Sequence, residues 1–309
     1  MRMETSQTLD HSYHACAMLA RAHYENFPVA SRLLPTRMRP HVAAVYAFAR
    51  IADDIADEGE GTTDERLAAL SYWKARLDGE PSEESGAGWG QSRFPSFPQL
   101  HTQADLVFPA VRETIRRFEI PATLFRDLLD AFAQDCSVRQ YATFADVLDY
   151  CRRSANPVGR ILLTLSGATQ GDAPLYSDAL CTGLQLANFW QDVSVDALKP
   201  RLYIPLEDCE RFGVDIADIT AGRHTNAFAE LMRFEVDRAR ACFADARPLF
   251  ASLSGLFAIE IRAVWHGGMR ILEKIERDRY TVVVKRPTLT KVDSMSILLR
   301  ALFPMLSSR

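Results

Sequence analysis

Gln185-Leu-Ala-Asn-Phe-Trp-Gln-Asp-Val-Ser-Val-Asp196 is the stretch whose reading decides the fold. At 3.6 residues per turn, Gln185, Asn188, Asp192 and Asp196 fall at i, i+3, i+7 and i+11, one line along a helix. Leu184, Leu186, Phe189, Trp190, Val193 and Val195 cover nearly all of the remaining circumference, the pattern of a helix that lies inside a protein. Two carboxylates and two carboxamides on one line of such a helix need a reason. A second stretch, Val45-Tyr-Ala-Phe-Ala-Arg-Ile-Ala-Asp-Asp-Ile-Ala-Asp-Glu58, repeats the arrangement with Tyr46, Arg50, Asp53 and Asp57 on one stripe. Val42, Val45, Ala49, Ala52 and Ala56 form a small apolar stripe beside it, and Asp54 and Glu58 are expected to face solvent.

Aspartates one turn apart repel by a few tenths of a kcal/mol on an exposed helix, and by more where they are desolvated. Cations lying between them remove that cost. Mg²⁺ takes a few carboxylate oxygens, several waters and the oxygens of a bound phosphate. Two facing Asp-x-x-x-Asp stripes are therefore expected to hold a diphosphate through bridging metals. Taken alone, Val45–Glu58 also reads as a solvated acidic helix end. The second stripe, with its aromatic neighbours, resists that reading, and the polar groups in register before both stripes favour the metal reading.

Outward from these stretches, helical periodicity dominates. It predicts helices near 9–22, 37–58, 64–78, 105–118, 121–135, 143–154, 157–170, 175–197, 224–250, 254–279 and 288–302, with caps at Thr63 or Asp64, at Thr143 and at Thr123. The nearest thing to a strand is Tyr280–Val284. Residues 79–104, rich in Gly, Ser and Pro, read as an irregular surface insertion within a single domain spanning 1–309. The fold class is all-α.

Composition narrows the function. The chain has 309 residues, 48% of them hydrophobic, and a net charge of −4, so it lacks the basic excess of a nucleic-acid binder. Cys16, Cys136, Cys151, Cys181, Cys209 and Cys242 are scattered without a CxxC pair, which points to reduced thiols and a cytoplasmic setting. The N-terminal residues show no apolar signal core, and no run reaches the ~18 apolar residues of a membrane span. The C-terminal run Met295–Leu306 is apolar but broken by Arg300 and Pro304; core packing is the first reading and rest on a membrane surface the second. The glycines at 86, 88 and 90 follow no strand, so they form no dinucleotide fingerprint. The histidines form no zinc pattern: His11 and His14 sit on an N-terminus expected to fray, and His224 and His266 stand alone.

The two stretches, YAFARIADDIADEG and QLANFWQDVSVDALKPRLYIP, resemble the squalene/phytoene synthase family of head-to-head prenyl transferases. The resemblance runs from His23-Tyr-Glu-Asn-Phe-Pro28 to Tyr280 and Arg286. It implies a class I isoprenoid synthase fold, antiparallel helices around a central apolar pocket with the aspartates near its mouth. It also implies two or three Mg²⁺ ions held by Asp53, Asp57, Asp192 and Asp196, preceded by Asn188 and Gln185. Tyr46 and Arg50 match positions facing the substrate diphosphate, Arg201 and Tyr203 the downstream Arg-x-Tyr element, and Tyr280 and Arg286 the late positions that close the pocket.

Two departures point within the family. Tyr24-Glu25-Asn26-Phe27-Pro28 stands where many members carry a Ser-rich or Ser-Lys element, and Asn156 replaces a glycine in Tyr150–Gly159. These resemble the bacterial hydroxysqualene synthase branch, which ionises presqualene diphosphate and quenches the cation with water. One or more of Glu25, Asn26 and Asn156 is then expected to position that water; Phe27, Tyr46, Phe48, Phe189 and Trp190 are candidates to offer ring faces to the cation, with core packing the first reading for each and Phe27 and Tyr46 the best exceptions. No NADPH is expected. An apolar product implies peripheral membrane contact and hand-over to neighbouring squalene-pathway enzymes. The alternatives are a synthase coupling two prenyl diphosphates and a non-catalytic helical interaction protein.

Overall fold

The expected helices form. The computed structural model describes residues 2–22, 33–79, 94–199 and 201–303. They run α1 Arg2–Ala22, α2 Arg39–Asp57, α3 Thr63–Leu77, α4 Leu100–Phe118, α5 Ala122–Asp135, α6 Phe144–Ser154, α7 Asn156–Ser166, α8 Ala173–Asp196, α9 Leu206–Phe212, α10 Ile216–Thr220, α11 Asn226–Asp245, α12 Leu249–Ser252, α13 Gly255–Arg277 and α14 Lys291–Leu302. The described residues contain no β-strand, only a bridge between Gln140 and Leu202.

Local chemistry sets several boundaries. Thr62 and Glu65 close a capping box on α3, one residue before the expected cap, and Thr143 with Asp146 does the same for α6. Thr123 lies inside α5 rather than capping it, because Pro121 takes the N-cap position. The periodicity over 224–250 is one pattern but two helices: the chain turns at 246–248, with Pro248 at the N-cap of α12. Tyr280–Val284 is no strand; Thr281–Val283 is a single 3-10 turn, entered through Arg279 and Tyr280, both at positive φ. Two consecutive non-glycine residues there are strained, and they terminate α13 through Tyr280 N–H to Ile275 O at 2.8 Å.

The irregular insertion is shorter than expected. Residues 100–104 are already helical, and Phe94 is buried between Tyr72 and His101. One apolar anchor in a polar segment holds its end against the core. Residues 80–93 lie outside the described residues. The N-terminus is helical from Arg2, so His11 and His14 are exposed residues of a helix and not of a frayed end.

Contacts divide the chain into two compact units: residues 1–137 with 164–167, and residues 138–163 with 168–309. In the first, α2 packs on α1, α3, α4 and α5. Phe48 of α2 sits fully buried among Trp73, Phe108 and Phe125, so it is a core residue. Ser12 of α1 enters the ladder of α4 beside Pro109: its hydroxyl donates to Leu106 O and accepts from Ala110 N. In the second unit, α8 is the central helix and packs on α6, α11 and α13. Close approach is allowed by glycine. A Cβ on Gly268 would collide with the ring of Phe243, and one on Gly159 would lie 2.5 Å from Cys181 Sγ.

Candidate active site

In the first unit, Tyr46, Arg50, Asp53 and Asp57 lie along α2 as the spacing requires, all of them half-buried. Arg50 Nη2 is 2.6 Å from Asp54 Oδ1 and Nη1 is 3.6 Å from Asp53 Oδ2. Asp54 is therefore not a solvent-facing residue; its side chain is 34% exposed against 45% for Asp53. The reason is the reach of Arg50, which spans i+3 and i+4 together. Arg50 Nε is buried without a partner among the described residues, a donor the fold leaves open on this stripe. Burial raises the Tyr46 hydroxyl above its usual pKa against the opposing pull of Arg50, so it is a neutral donor at physiological pH.

The C-terminal end of α2 is held by a residue the sequence reading missed. Arg66 donates Nη1 to Ile55 O at 2.7 Å and to Glu58 O at 2.8 Å, Nη2 to Gly59 O at 2.7 Å, and Nε to Gly61 O at 2.9 Å. These carbonyls belong to the last turn and exit of the helix that carries Asp57. A guanidinium at a helix C-terminus both satisfies and neutralises them. Arg66 is eight residues beyond Glu58, and no local pattern announces it.

In the second unit, Gln185, Asp192 and Asp196 are half-buried and Asn188 is exposed on one line of α8; Phe189, one turn from Gln185 and from Asp192, is buried beside that line, and Trp190 is buried on the opposite side. Trp190 is fully buried with its Nε1–H on Glu235 O at 3.1 Å, so it braces α8 against α11. Asp192 is gripped at both oxygens by Arg286, through Nε to Oδ1 and Nη2 to Oδ2 at 3.3 Å. The segment around Arg286 is tied down at Pro287 O by Gln191 of α8 (2.7 Å) and at Thr288 O by Lys274 of α13 (2.9 Å). The Thr290–Asp293 capping box of α14 then fixes the exit of the segment.

Downstream of α8, Arg201 N–H reaches Asp196 O at 3.3 Å. Residues 202–207 are zipped to residues 139–142 by Leu202 N–H to Arg139 O, Leu206 N–H to Tyr141 O and Glu207 N–H to Ala142 O. This places Tyr203 flat on Phe189, with centroids 3.7 Å apart and planes 9° apart, in a cluster with Tyr141 and Tyr150. Asn156 opens α7, buried, and its Oδ1 accepts from Thr182 Oγ1 of α8 at 3.1 Å. Tyr280, half-buried beside Glu276, Asp237, Arg240 and Arg233, has its hydroxyl pKa raised chiefly by burial. Glu25, Asn26 and Phe27 lie outside the described residues.

Behind α8 the second unit buries a carboxyl pair. Glu235 of α11 has no solvent exposure, and Arg238 Nη1 bridges its Oε1 at 3.2 Å and Asp208 Oδ2 at 2.5 Å. Burial, with Asp208 nearby and despite Arg238, pushes Glu235 up to about 8. Its Oε2 is buried without a hydrogen-bond partner among the described residues, an environment that disfavours the carboxylate and favours the protonated form. The Arg238 guanidinium lies over the rings of Phe144 and Phe234.

These features describe an all-helical protein with two acidic stripes, each bordered by a guanidinium. Residues 20–293 match the family described as squalene/phytoene synthase, and the chain belongs to that family, whose members process prenyl diphosphates. Over 301 residues it is 29% identical to a phytoene synthase of Arthrospira platensis, covering 92% of this chain and 90% of that one. Over 198 residues it is 36% identical to a hydroxysqualene synthase of Zymomonas mobilis, covering 63% of this chain and 59% of that relative's length. Among solved structures, the squalene synthase HpnC from Alicyclobacillus acidocaldarius superposes with a TM-score of 0.75 at 35% identity, covering 87% of this chain and 94% of that one. The helical fold is thus that of the squalene synthases.

Proposed function

We propose that this protein is a hydroxysqualene synthase, converting presqualene diphosphate and water to hydroxysqualene and diphosphate. The observation that carries the reading is the pair of half-buried Asp-x-x-x-Asp stripes, each bordered by an arginine: Arg50 at Asp53 and Asp54, Arg286 at Asp192. The hydroxysqualene synthase among the relatives supports the choice of reaction.

The donor chemistry fits Mg²⁺: hard oxygens from Asp53, Asp57, Asp192, Asp196 and Asn188. Among the described residues no three His, Cys, Asp or Glu side chains converge as a closed metal cage. Mg²⁺, when bound, supplies charge neutralisation for the departing diphosphate. Beside the first stripe Arg50, with its open Nε, and beside the second Arg286 are the guanidinium groups available for charge-assisted hydrogen bonds to a diphosphate. The C–O bond breaks, diphosphate leaves with the electron pair, and the cyclopropylcarbinyl cation rearranges. A water oxygen then attacks and loses a proton. Asn156 is the described residue assigned to hold that water, its side chain anchored by the hydrogen bond that Oδ1 accepts from Thr182. On this reading no NADPH is used, and the protein works in the cytoplasm, passing an apolar alcohol to a neighbouring enzyme.

The second reading, a synthase coupling two prenyl diphosphates, is favoured by the near full-length alignment with a phytoene synthase. Incubation with Mg²⁺ and without nicotinamide cofactor, with farnesyl or presqualene diphosphate in separate tubes, separates the two. Hydroxysqualene formed only from presqualene diphosphate is the expected result. Consumption of farnesyl diphosphate would install the coupling reaction instead. Turnover of neither substrate, with no Mg²⁺-dependent binding of pyrophosphate, would leave a non-catalytic helical protein.

A further inference from the structure

The C-terminal helix α14 is built inside out. The residues turned inward are Asp293, Ile297 and Ala301, at i, i+4 and i+8, packed against α13. Asp293 is buried and paired with Lys274 at 2.6 Å and Arg270 at 2.7 Å. Val292, Met295, Leu298, Leu299, Leu302 and Phe303 are exposed instead, Val292 to 79%, Met295 to 60% and Phe303 to 56%. At 100° per residue these six lie on the side of the helix opposite the Asp293–Ala301 line. With Val284 and Leu289 they make eight of the fourteen large apolar side chains exposed on the described surface. Exposed apolar side chains scattered singly are ordinary, but a contiguous face of this kind marks an interaction site. This corrects the core-packing reading of the C-terminal run: α14 is too thinly packed to bury its own apolar residues.

Charge identifies the occupant. From residue 284 to the end the sequence carries Lys285, Arg286, Lys291, Arg300 and Arg309 against Asp293 alone, a net +4 in a chain whose total is −4. The one acidic residue of this run is buried and paired with Lys274 and Arg270, while Lys291 and Arg300 are exposed beside the apolar face, Arg300 lying 3.9 Å from Glu273 of α13. A second copy docked face to face would bring these cations together. An anionic surface with an apolar interior attracts both features. Among the described residues no helix is long and apolar enough to cross a membrane.

We infer that the exposed face of α14 lies in the interface of an anionic lipid bilayer, with Met295, Leu299, Leu302 and Phe303 in the acyl boundary and Lys291 and Arg300 at the headgroups. The inference rests on the surface alone and does not depend on the reaction proposed above. The test is co-flotation of the purified full chain with phosphatidylcholine vesicles, with and without about one-third phosphatidylglycerol. The native chain is expected to float with the anionic vesicles. Met295→Asp/Leu299→Asp, whose sites are exposed and whose melting should match the native chain, is expected to lose binding by more than tenfold. Lys291→Glu/Arg300→Glu should weaken it by about fivefold or more per charge. Absence of flotation, equal flotation of the native and apolar-face variants, or no preference for anionic vesicles would overturn the inference. So would a native dimer that Met295→Asp/Leu299→Asp converts to monomer without any change in vesicle binding.

Discussion

Replacing Glu235 by Gln should flatten the dependence of stability on pH. In the fold this carboxyl titrates near 8 against an ordinary 4.5, because burial and Asp208 together outweigh Arg238. Between those two values the folded protein holds a proton that the unfolded chain has released. Stability is therefore full below about pH 4.5, falls as pH rises toward 8, and levels off above it. The difference between the two pKa values corresponds to ~5 kcal/mol across the window. Gln keeps the volume, leaves an oxygen for Arg238 and offers Asp208 an N–H₂ donor, but does not titrate. His41 and His266, whose pKa values burial lowers, act in the opposite sense, yet they are common to both proteins and cancel in the difference. Urea midpoints of native chain and variant, followed by tryptophan fluorescence between about pH 5 and pH 8, measure that difference. The variant should match the native chain near pH 5 and exceed it by several kcal/mol near pH 8. Parallel curves would show that Glu235 ionises normally and that the account of the pair is wrong. Because Trp190 bonds Glu235 O, the same titration bears on the seating of α8.

Gly268→Ala should cost about 1–3 kcal/mol and several degrees of melting temperature, since its Cβ would meet Phe243 and lie 3.0 Å from Leu184 Cδ2. Its neighbour Gly267 has open space around it, so Gly267→Ala should be neutral or stabilise by up to about 1 kcal/mol; equal losses at both sites would refute the packing argument. Arg66→Ala leaves four carbonyls around the end of α2 without their donor and should destabilise by about 1–3 kcal/mol. It should also raise the Mg²⁺ concentration needed for pyrophosphate binding, measured by calorimetry, because Asp57 loses its support. On the proposed reaction, Arg286→Ala should lower kcat by about 10²-fold or more, with Arg286→Lys recovering part of it, and an unchanged kcat would remove Arg286 from the site. Chelation with EDTA should abolish turnover and added Mg²⁺ restore it.

The sequence by itself determined what depends on neighbours a few residues apart. The 3.6-residue apolar period marked the long helices, and the Thr143 cap marked where α6 begins. The one-turn spacing of Asp53 with Asp57 and of Asp192 with Asp196 placed each pair on one side of its helix. The sense of the apolar face of α14 was not in that pattern, because an amphipathic period does not state which side meets the core. Tertiary structure decided that, and decided every pairing that spans the chain. Arg286 meets Asp192 across 94 positions, Trp190 meets the Glu235 carbonyl across 45, and Phe94 is buried from a segment whose composition is that of a loop. The proton on Glu235 is of the same kind: a carboxyl carries no mark of its pKa until the fold chooses how much water, and which charges, surround it.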